Sequence, residues 1–320
     1  MLPPIMSKYL LTIFLFFGIS SFSQTNSIRD LALEISNKNL KMSELVSFTN
    51  EKFTDSIEKA KFLYYWIGLN IKYDHKLLES KSSLLDYQKE YSYNYYPGQI
   101  FGKKMAVCYG YSKLFEWFMV KLGIESTIIS GFIRDERNHY VELESDYDYS
   151  HAWNAIKLNG KWKLVDTTWG TSLNKEVADF YFDIPPERAI ISHYPEKSTW
   201  QLLEKPLSLE KFNNSKFINP IWFKIGYSDI PKIKMDSKYY YFIYRSNPNE
   251  NWLVNLLYSV DNKNFHKLRE LNKIVQDGYT ILRFYKSIIP KKTYFKVNLY
   301  ELIEEVDYSL RYEGVINFKI

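Results

Sequence analysis

Two stretches decide the fold: residues 106–124, AVCYGYSKLFEWFMVKLGI, and residues 150–170, SHAWNAIKLNGKWKLVDTTWG. In the first, Tyr111, Leu114, Phe115, Phe118 and Leu122 recur at helical spacing and form one wide apolar face. The spacing predicts a helix over 108–122 that Gly123 stops. In the second, two strand-like runs, 151–158 and 161–168, flank Asn159-Gly160, a strong short-range signal for a tight antiparallel hairpin. A two-residue turn pairs Leu158 with Lys161, Trp153 with Asp166 and His151 with Thr168, so 151, 153, 166 and 168 share a face. A helix followed by antiparallel strands makes the fold class α+β.

Cys108 is the only cysteine, and it stands at the predicted helix start. A thiol is a good nucleophile only as thiolate, and the partial positive charge of a helix N-terminus favours that form. The same position leaves backbone N–H groups near the sulfur, where they can hold an oxyanion. A nucleophile needs a base, and a base needs an orienting group. On the predicted hairpin His151 and Asp166 are diagonal neighbours, within reach of a carboxylate–imidazole hydrogen bond. Each residue has a plainer reading: a buried cysteine as a small hydrophobe, a packed histidine, an aspartate that caps a turn.

Outward from this centre, residues 28–53 read as amphipathic helix with Leu31, Ile35, Leu40, Leu45 and Phe48 inward. Asp55 is an N-cap for a helix from Ser56 to about Ile71. A helix over 77–91 and a tyrosine-rich loop over 91–98, turning at Pro97-Gly98, lead into Cys108; the tyrosines are candidates for a groove wall. Strands are expected at 126–132 and 141–143, and a proline-interrupted connection over 190–212. Beyond it, short aromatic and β-branched runs such as PIWFKIGY, YYYFIYR, YTILRFY and GVINFKI suggest about seven strands, the pattern of a β-sandwich.

Apolar content of 46% is enough for a packed core in each of two domains over 320 residues. The net charge of +5 is dispersed among acidic residues, which argues against nucleic acid. Residues 1–23 read as a cleavable export signal: Lys8, an apolar run over 9–19, then Ser21-Phe22-Ser23. The run is short for a membrane span. An exported chain with a single thiol makes that thiol a candidate reactive group. His139 and His193, with Asp135 and Glu136 nearby, lack a zinc spacing, and there is no P-loop or dinucleotide fingerprint. No metal or cofactor is expected.

The segments around Cys108, His151 and Asp166, together with EKAKFLYYWIGLNIKYD upstream, resemble the transglutaminase-like superfamily of papain-like fold proteins. The run FYFDIPPERAIISHYPEKSTWQLLEKPLSLEKF resembles the branch that includes kyphoscoliosis peptidase and related cytokinesis proteins. The resemblance covers residues 55–212. It implies a papain-like core, helices packed on an antiparallel sheet, followed by the β-sandwich. It further implies Cys108 as nucleophile, His151 as base then acid, Asp166 as orienter, and Trp153 and Trp169 as packing around them. Papain-like proteases place a Gln shortly before the nucleophile. Here Gly102 lies six residues before it and Gln99 nine, so the Cys108 N–H is the expected donor and Gln99 a secondary candidate.

The resulting expectation is an export signal (1–23), an N-terminal helical segment (24–54), a catalytic domain (55–214) and a β-sandwich (215–320). The function expected is thiol-dependent acyl transfer on peptide or protein amides, with hydrolysis favoured over transfer to a lysine amine. The other reading is a non-catalytic envelope or surface protein that keeps the fold. The expected partners are a protein or peptide substrate and, through the sandwich, a cell-envelope or surface protein.

Overall fold

The computed structural model describes residues 28–78, 84–134, 140–143, 150–173, 175–304 and 307–320, so the expected export signal, His139, Asp135 and Glu136 lie outside the described residues. The N-terminal helical run is two helices, α1 (28–36) and α2 (Met42–Lys52), because Asn39 adopts a left-handed conformation between them (φ 44°). Asp55 caps α3 (Ser56–Asn70) as expected, its carboxylate accepting from the Ile57 and Glu58 amides.

The chain packs as two units, residues 28–129 with 152–183, and residues 130–151 with 184–320. In the first unit α3 leads into a two-residue strand β1 (Lys72–Tyr73), then α4 (His75–Leu78) and α5 (Leu84–Tyr91). The tyrosine-rich segment is not a loop. It forms a 3-10 turn (Ser92–Tyr95) and helix α6 (Pro97–Lys103), with Pro97 opening the helix where its missing N–H costs nothing. After α6 come β2 (Met105–Ala106) and α7 (Cys108–Lys121). Tyr111, Leu114, Phe115 and Phe118 of α7 are fully buried, and each contributes on the order of 2 kcal/mol by leaving water. Trp66 of α3 stacks on Phe101 at 5.3 Å and meets Phe118 edge-on at 6.2 Å, fixing α3 against α6 and α7. Gly123 ends the turn after α7 with φ 73°.

Strands β3 (Ser126–Ile133), β4 (Ser150–Leu158) and β5 (Lys161–Val165) follow. Asn159 and Gly160 both have positive φ (50° and 76°), as the two central residues of a hairpin turn require, and Leu158 pairs with Lys161 as the two-residue turn dictates. The ladder ends at Asn154–Val165, and the two pairs expected beyond it are not part of it. The reason is Asp166, whose side chain caps a turn leading into a π-helical segment, Thr168–Leu173. A 3-10 segment (Lys175–Tyr181) and β6 (Phe182–Ile184) complete this part of the chain.

In the second unit α8 (Pro186–Ala189) precedes β7 (His193–Pro195), which pairs antiparallel with the end of β3. Residues 141–143 are not a strand. Both main-chain groups of Leu143 are taken by the Asn213 side-chain amide, at 2.9 and 2.8 Å, while Val141 and Leu143 pack with Ile190 and Phe212. Asn213 ends α9 (Leu209–Asn213) and is followed by β8 (Phe217–Ile218). The run PIWFKIGY is a short helix, α10 (Ile221–Lys224), because the Asn219 side chain caps the Ile221 N–H behind Pro220. The remaining strands are β9 (Lys232–Met235), β10 (Tyr239–Arg245), β11 (Trp252–Ser259), β12 (His266–Lys267), β13 (Asn272–Gln276), β14 (Tyr279–Tyr285), β15 (Tyr294–Glu304) and β16 (Asp307–Lys319). They build two sheets, β13-β14-β10-β9 and β12-β11-β15-β16-β8. Phe242 and Phe284 of the first meet Phe318 and Phe295 of the second, each pair at 5.7 Å, and these aromatic pairs are the core of a β-sandwich. Among the described residues no helix is long and apolar enough to cross a membrane.

Candidate active site

Cys108 is the first residue of α7 and is half-buried. Val107 before it is extended and offers no side-chain cap, so the helix entry is fixed from elsewhere. Asn94 does this: fully buried, it accepts from the Val107 N–H at 3.0 Å and donates to the Tyr91 carbonyl at 3.0 Å. Gly110 completes the fit, because a Cβ there would fall on the Asn94 Oδ1 and lie 2.9 Å from the Ala106 Cβ. The CYG triplet thus has a steric reason: α7 starts hard against the 3-10 turn that holds Asn94.

Strand β1 runs parallel to β2 with Tyr73 opposite Ala106, two residues before the thiol. The Asp74 N–H donates to the Ala106 carbonyl at 2.9 Å, and the Asp74 carboxylate accepts from the Tyr93 hydroxyl at 2.8 Å. The Tyr73 ring stacks against Tyr111, one turn into α7, with centroids 6.2 Å apart. A hydrogen bond joins the Tyr73 hydroxyl to the main chain of Cys108 in the sense that favours phenolate, so the Cys108 N–H donates to the phenol oxygen. Burial first, and then the charges of Cys108, Tyr111 and Asp166, push the Tyr73 phenol far above its ordinary range. Tyr73 therefore stays protonated and lies within electrostatic reach of both Cys108 and Asp166.

Asp166 is fully buried. Its Oδ1 accepts from the Thr168 N–H at 2.8 Å and the Trp169 N–H at 2.9 Å, and its own N–H donates to the Tyr181 carbonyl at 2.9 Å. One carboxylate oxygen is thus committed to the DTTWG turn, which holds the plane of the group. Tyr64, buried beneath this turn, donates to the Ala178 carbonyl at 2.7 Å; burial and then the Asp166 charge push its phenol well up. Gly170 is required here, since a Cβ would collide with the Tyr64 hydroxyl. Trp153 and Trp169 are both buried.

Helix α7 is tied to β4 through Ser112, whose hydroxyl donates to the Ala152 carbonyl at 3.0 Å, while Asn154 Nδ2 donates to the Ser112 carbonyl at 3.1 Å. His151 is the residue that precedes Ala152 in β4. It is buried, in the second unit, with its ring 5.7 Å from that of His193. His193 Nδ1 shares a hydrogen with the Ser192 hydroxyl at 2.8 Å.

Sequence reasoning gave Tyr73 and Asn94 no role. The signal for Tyr73 is its place in IKYD, directly after a helix and before the chain returns to Cys108; Asn94 is the one amide inside the tyrosine run. Gln99 is exposed on the first turn of α6. Of the candidate wall, Tyr93 is buried, while Tyr91, Tyr95 and Tyr109 form an edge-on chain with spacings of 5.5 and 5.3 Å that ends beside Cys108.

A family model for the transglutaminase-like superfamily matches residues 45–167, the span that contains Cys108, His151 and Asp166. That segment of the chain is similar to the transglutaminase-like superfamily. It is 30% identical over 184 residues to kyphoscoliosis peptidase of Mus musculus, covering 55% of this chain and 26% of that protein. Hillarin of Drosophila melanogaster is 24% identical over 221 residues (61% of this chain, 25% of that protein), and Lim and transglutaminase domain protein ltd-1 of Caenorhabditis elegans 29% over 147 (41% and 20%). The chain thus spans about a quarter or less of the length of these relatives. A transglutaminase-like match over a segment with a cysteine at a helix start suits thiol acyl transfer.

Proposed function

We propose that this protein is an exported thiol enzyme that cleaves peptide or protein amides through Cys108, His151 and Asp166. The observation that carries the reading is the half-buried Cys108 opening α7 inside the transglutaminase-like domain. The helix start favours thiolate and leaves first-turn amides available for an oxyanion. Export is supported by the signal-like residues 1–23.

In the proposed cycle His151 takes the thiol proton and Sγ attacks the amide carbon. The C–S bond forms, and the negative charge on oxygen is met by the Tyr73 hydroxyl and the free first-turn amides of α7. The tetrahedral species collapses, the C–N bond breaks, and the amine leaves with the proton from His151. Water then adds to the thioester while His151 takes its proton; the C–S bond breaks to release a carboxylic acid and restore the thiol. Asp166 orients His151 throughout. The Tyr91–Tyr95–Tyr109 chain is the proposed substrate wall.

The test is incubation of a candidate proteome with the wild type and with Cys108→Ala, followed by mass spectrometry. New peptide termini made only by the wild type are the expected result. Deamidated glutamines or glutamine–lysine cross-links instead of new termini reassign the acceptor or the amide. No Cys108-dependent product, together with a thiol that alkylates no faster than free cysteine near neutral pH, rejects the enzymatic reading.

A further inference from the structure

The outer face of sheet β13-β14-β10-β9 carries an ordered set of cations and phenols that the proposed catalytic chemistry does not use. Alternation along β10 and β14 sends Phe242, Leu282 and Phe284 into the sandwich core. The opposite face therefore holds Tyr239 beside Tyr285, Tyr241 beside Arg283, and Arg245 beside Tyr279. On the adjoining strand Lys234 stands beside Tyr241 and Lys232 beside Ile243. Lys238 lies between the rings of Tyr239 and Tyr285, 5.2 and 5.3 Å from their centroids.

Five cations thus share one surface: Lys232, Lys234, Lys238, Arg245 and Arg283. The carboxylates within their hydrogen-bond network are Asp229, which meets Arg245 at 3.4 Å, and Asp236, which accepts from the Tyr241 hydroxyl. Arg283 is held by aromatic stacking over Tyr239 at 4.7 Å, and its Nε is a buried donor without an acceptor. The Tyr239 phenol reports the local field: a hydrogen bond from Tyr285 first, then Lys238 and Arg283, lower it below the ordinary phenol range. The five cations named outnumber the two carboxylates that contact this network, so the face has a local excess of positive charge.

We propose that this face binds an acidic polysaccharide, a polyhydroxylated polymer with regularly spaced carboxylate, sulfate or phosphate groups. Charge complementarity selects a polyanion, and half-exposed tyrosyl hydroxyls add donors and acceptors suited to sugar hydroxyls. Single-stranded nucleic acid is disfavoured because its bases need open aromatic faces, and here cations cover Tyr239 and Tyr279, with Arg245 5.3 Å over the latter. The proposal does not depend on Cys108, and its test leaves the thiol untouched.

The full chain is titrated against polygalacturonate by calorimetry, with neutral dextran, a DNA oligonucleotide and anionic phospholipid vesicles as comparisons. If about three cations engage the polymer, raising salt from about 50 to 200 mM weakens binding roughly 20- to 40-fold, by a counterion-release slope of about 0.7 to 0.9 per contact. The exposed double variant Lys234→Ala/Lys238→Ala should bind at least about tenfold more weakly at low salt, with a smaller salt slope. Equal affinity for dextran, wild-type affinity in the double variant, or tighter binding to DNA or vesicles than to polygalacturonate each overturns the proposal.

Discussion

Replacing Tyr73 by Phe isolates the oxyanion step from the rest of the proposed mechanism. The ring keeps its stacking on Tyr111, so the fold loses only the hydroxyl and its bond to the Cys108 N–H, a change of about 1 kcal/mol or less. In the proposed cycle the hydroxyl donates to the charge that develops on the carbonyl oxygen. One such donor is worth about 10² to 10³ in rate, or roughly 3 to 4 kcal/mol of transition-state stabilisation. The assay is a pair of second-order rate constants. Acylation of Cys108 by an activated peptide ester passes through an oxyanion and should slow by about 10²-fold. Alkylation by iodoacetamide forms no oxyanion and should stay within about twofold. Because the phenol is held far above its ordinary range, the pH profile of acylation should keep its shape in the variant. Unchanged acylation, or an equal loss in both reactions, would refute the assignment, the second because it would mean that Tyr73 acts on the thiol itself.

Three further perturbations follow from particular contacts. Gly110→Ala drives a methyl onto Asn94 and should destabilise the first unit by about 1 to 3 kcal/mol, read as a lower midpoint in chemical denaturation. Asp166→Ala strands the buried Thr168 and Trp169 amides and should cost about 2 to 4 kcal/mol. Asp166→Asn keeps the accepting oxygen, so it should unfold within about 1 kcal/mol of wild type while acylation falls on the order of 10³-fold, and equal stability of Asn and Ala variants would show that the turn does not rely on Oδ1. In the second unit the exposed Asp261 carboxylate is held well below its usual range, first by the Asn264 amide and then by the Ser259 hydroxyl and the Lys263 amide. A carboxylate depressed in the folded state contributes stability above its ordinary value of about 4 and loses it as pH falls through the lower folded value. The Lys263 and Asn264 amides should therefore stay protected from exchange at pH 4 and open only in stronger acid.

Much of this molecule is legible in its residues because the relevant forces are local. Helical spacing of Tyr111, Leu114, Phe115 and Phe118 defines α7, and Asn159-Gly160 defines a hairpin whose first pair, Leu158–Lys161, follows from turn length alone. The elements that differ turn on single residues. Asn213 satisfies Leu143 and replaces a neighbouring strand; Asn219 starts a helix in an aromatic run that reads as a strand; Pro97 opens α6 instead of turning a loop. Local propensity is weak where a side-chain amide can take the place of a main-chain partner.

The sequence by itself determined that a single thiol stands at a helix start, that a hairpin turning at Asn159-Gly160 follows it, and that an aromatic strand-rich segment ends the chain. Only the tertiary structure decided what surrounds the thiol. Tyr73 lies 35 positions before Cys108, and Asn94 14 positions before it. No short-range pattern relates residues so far apart. The parallel β1–β2 bridge and the 3-10 turn bring them together, because the buried Val107 N–H and the ends of β2 need partners that the helix itself does not supply.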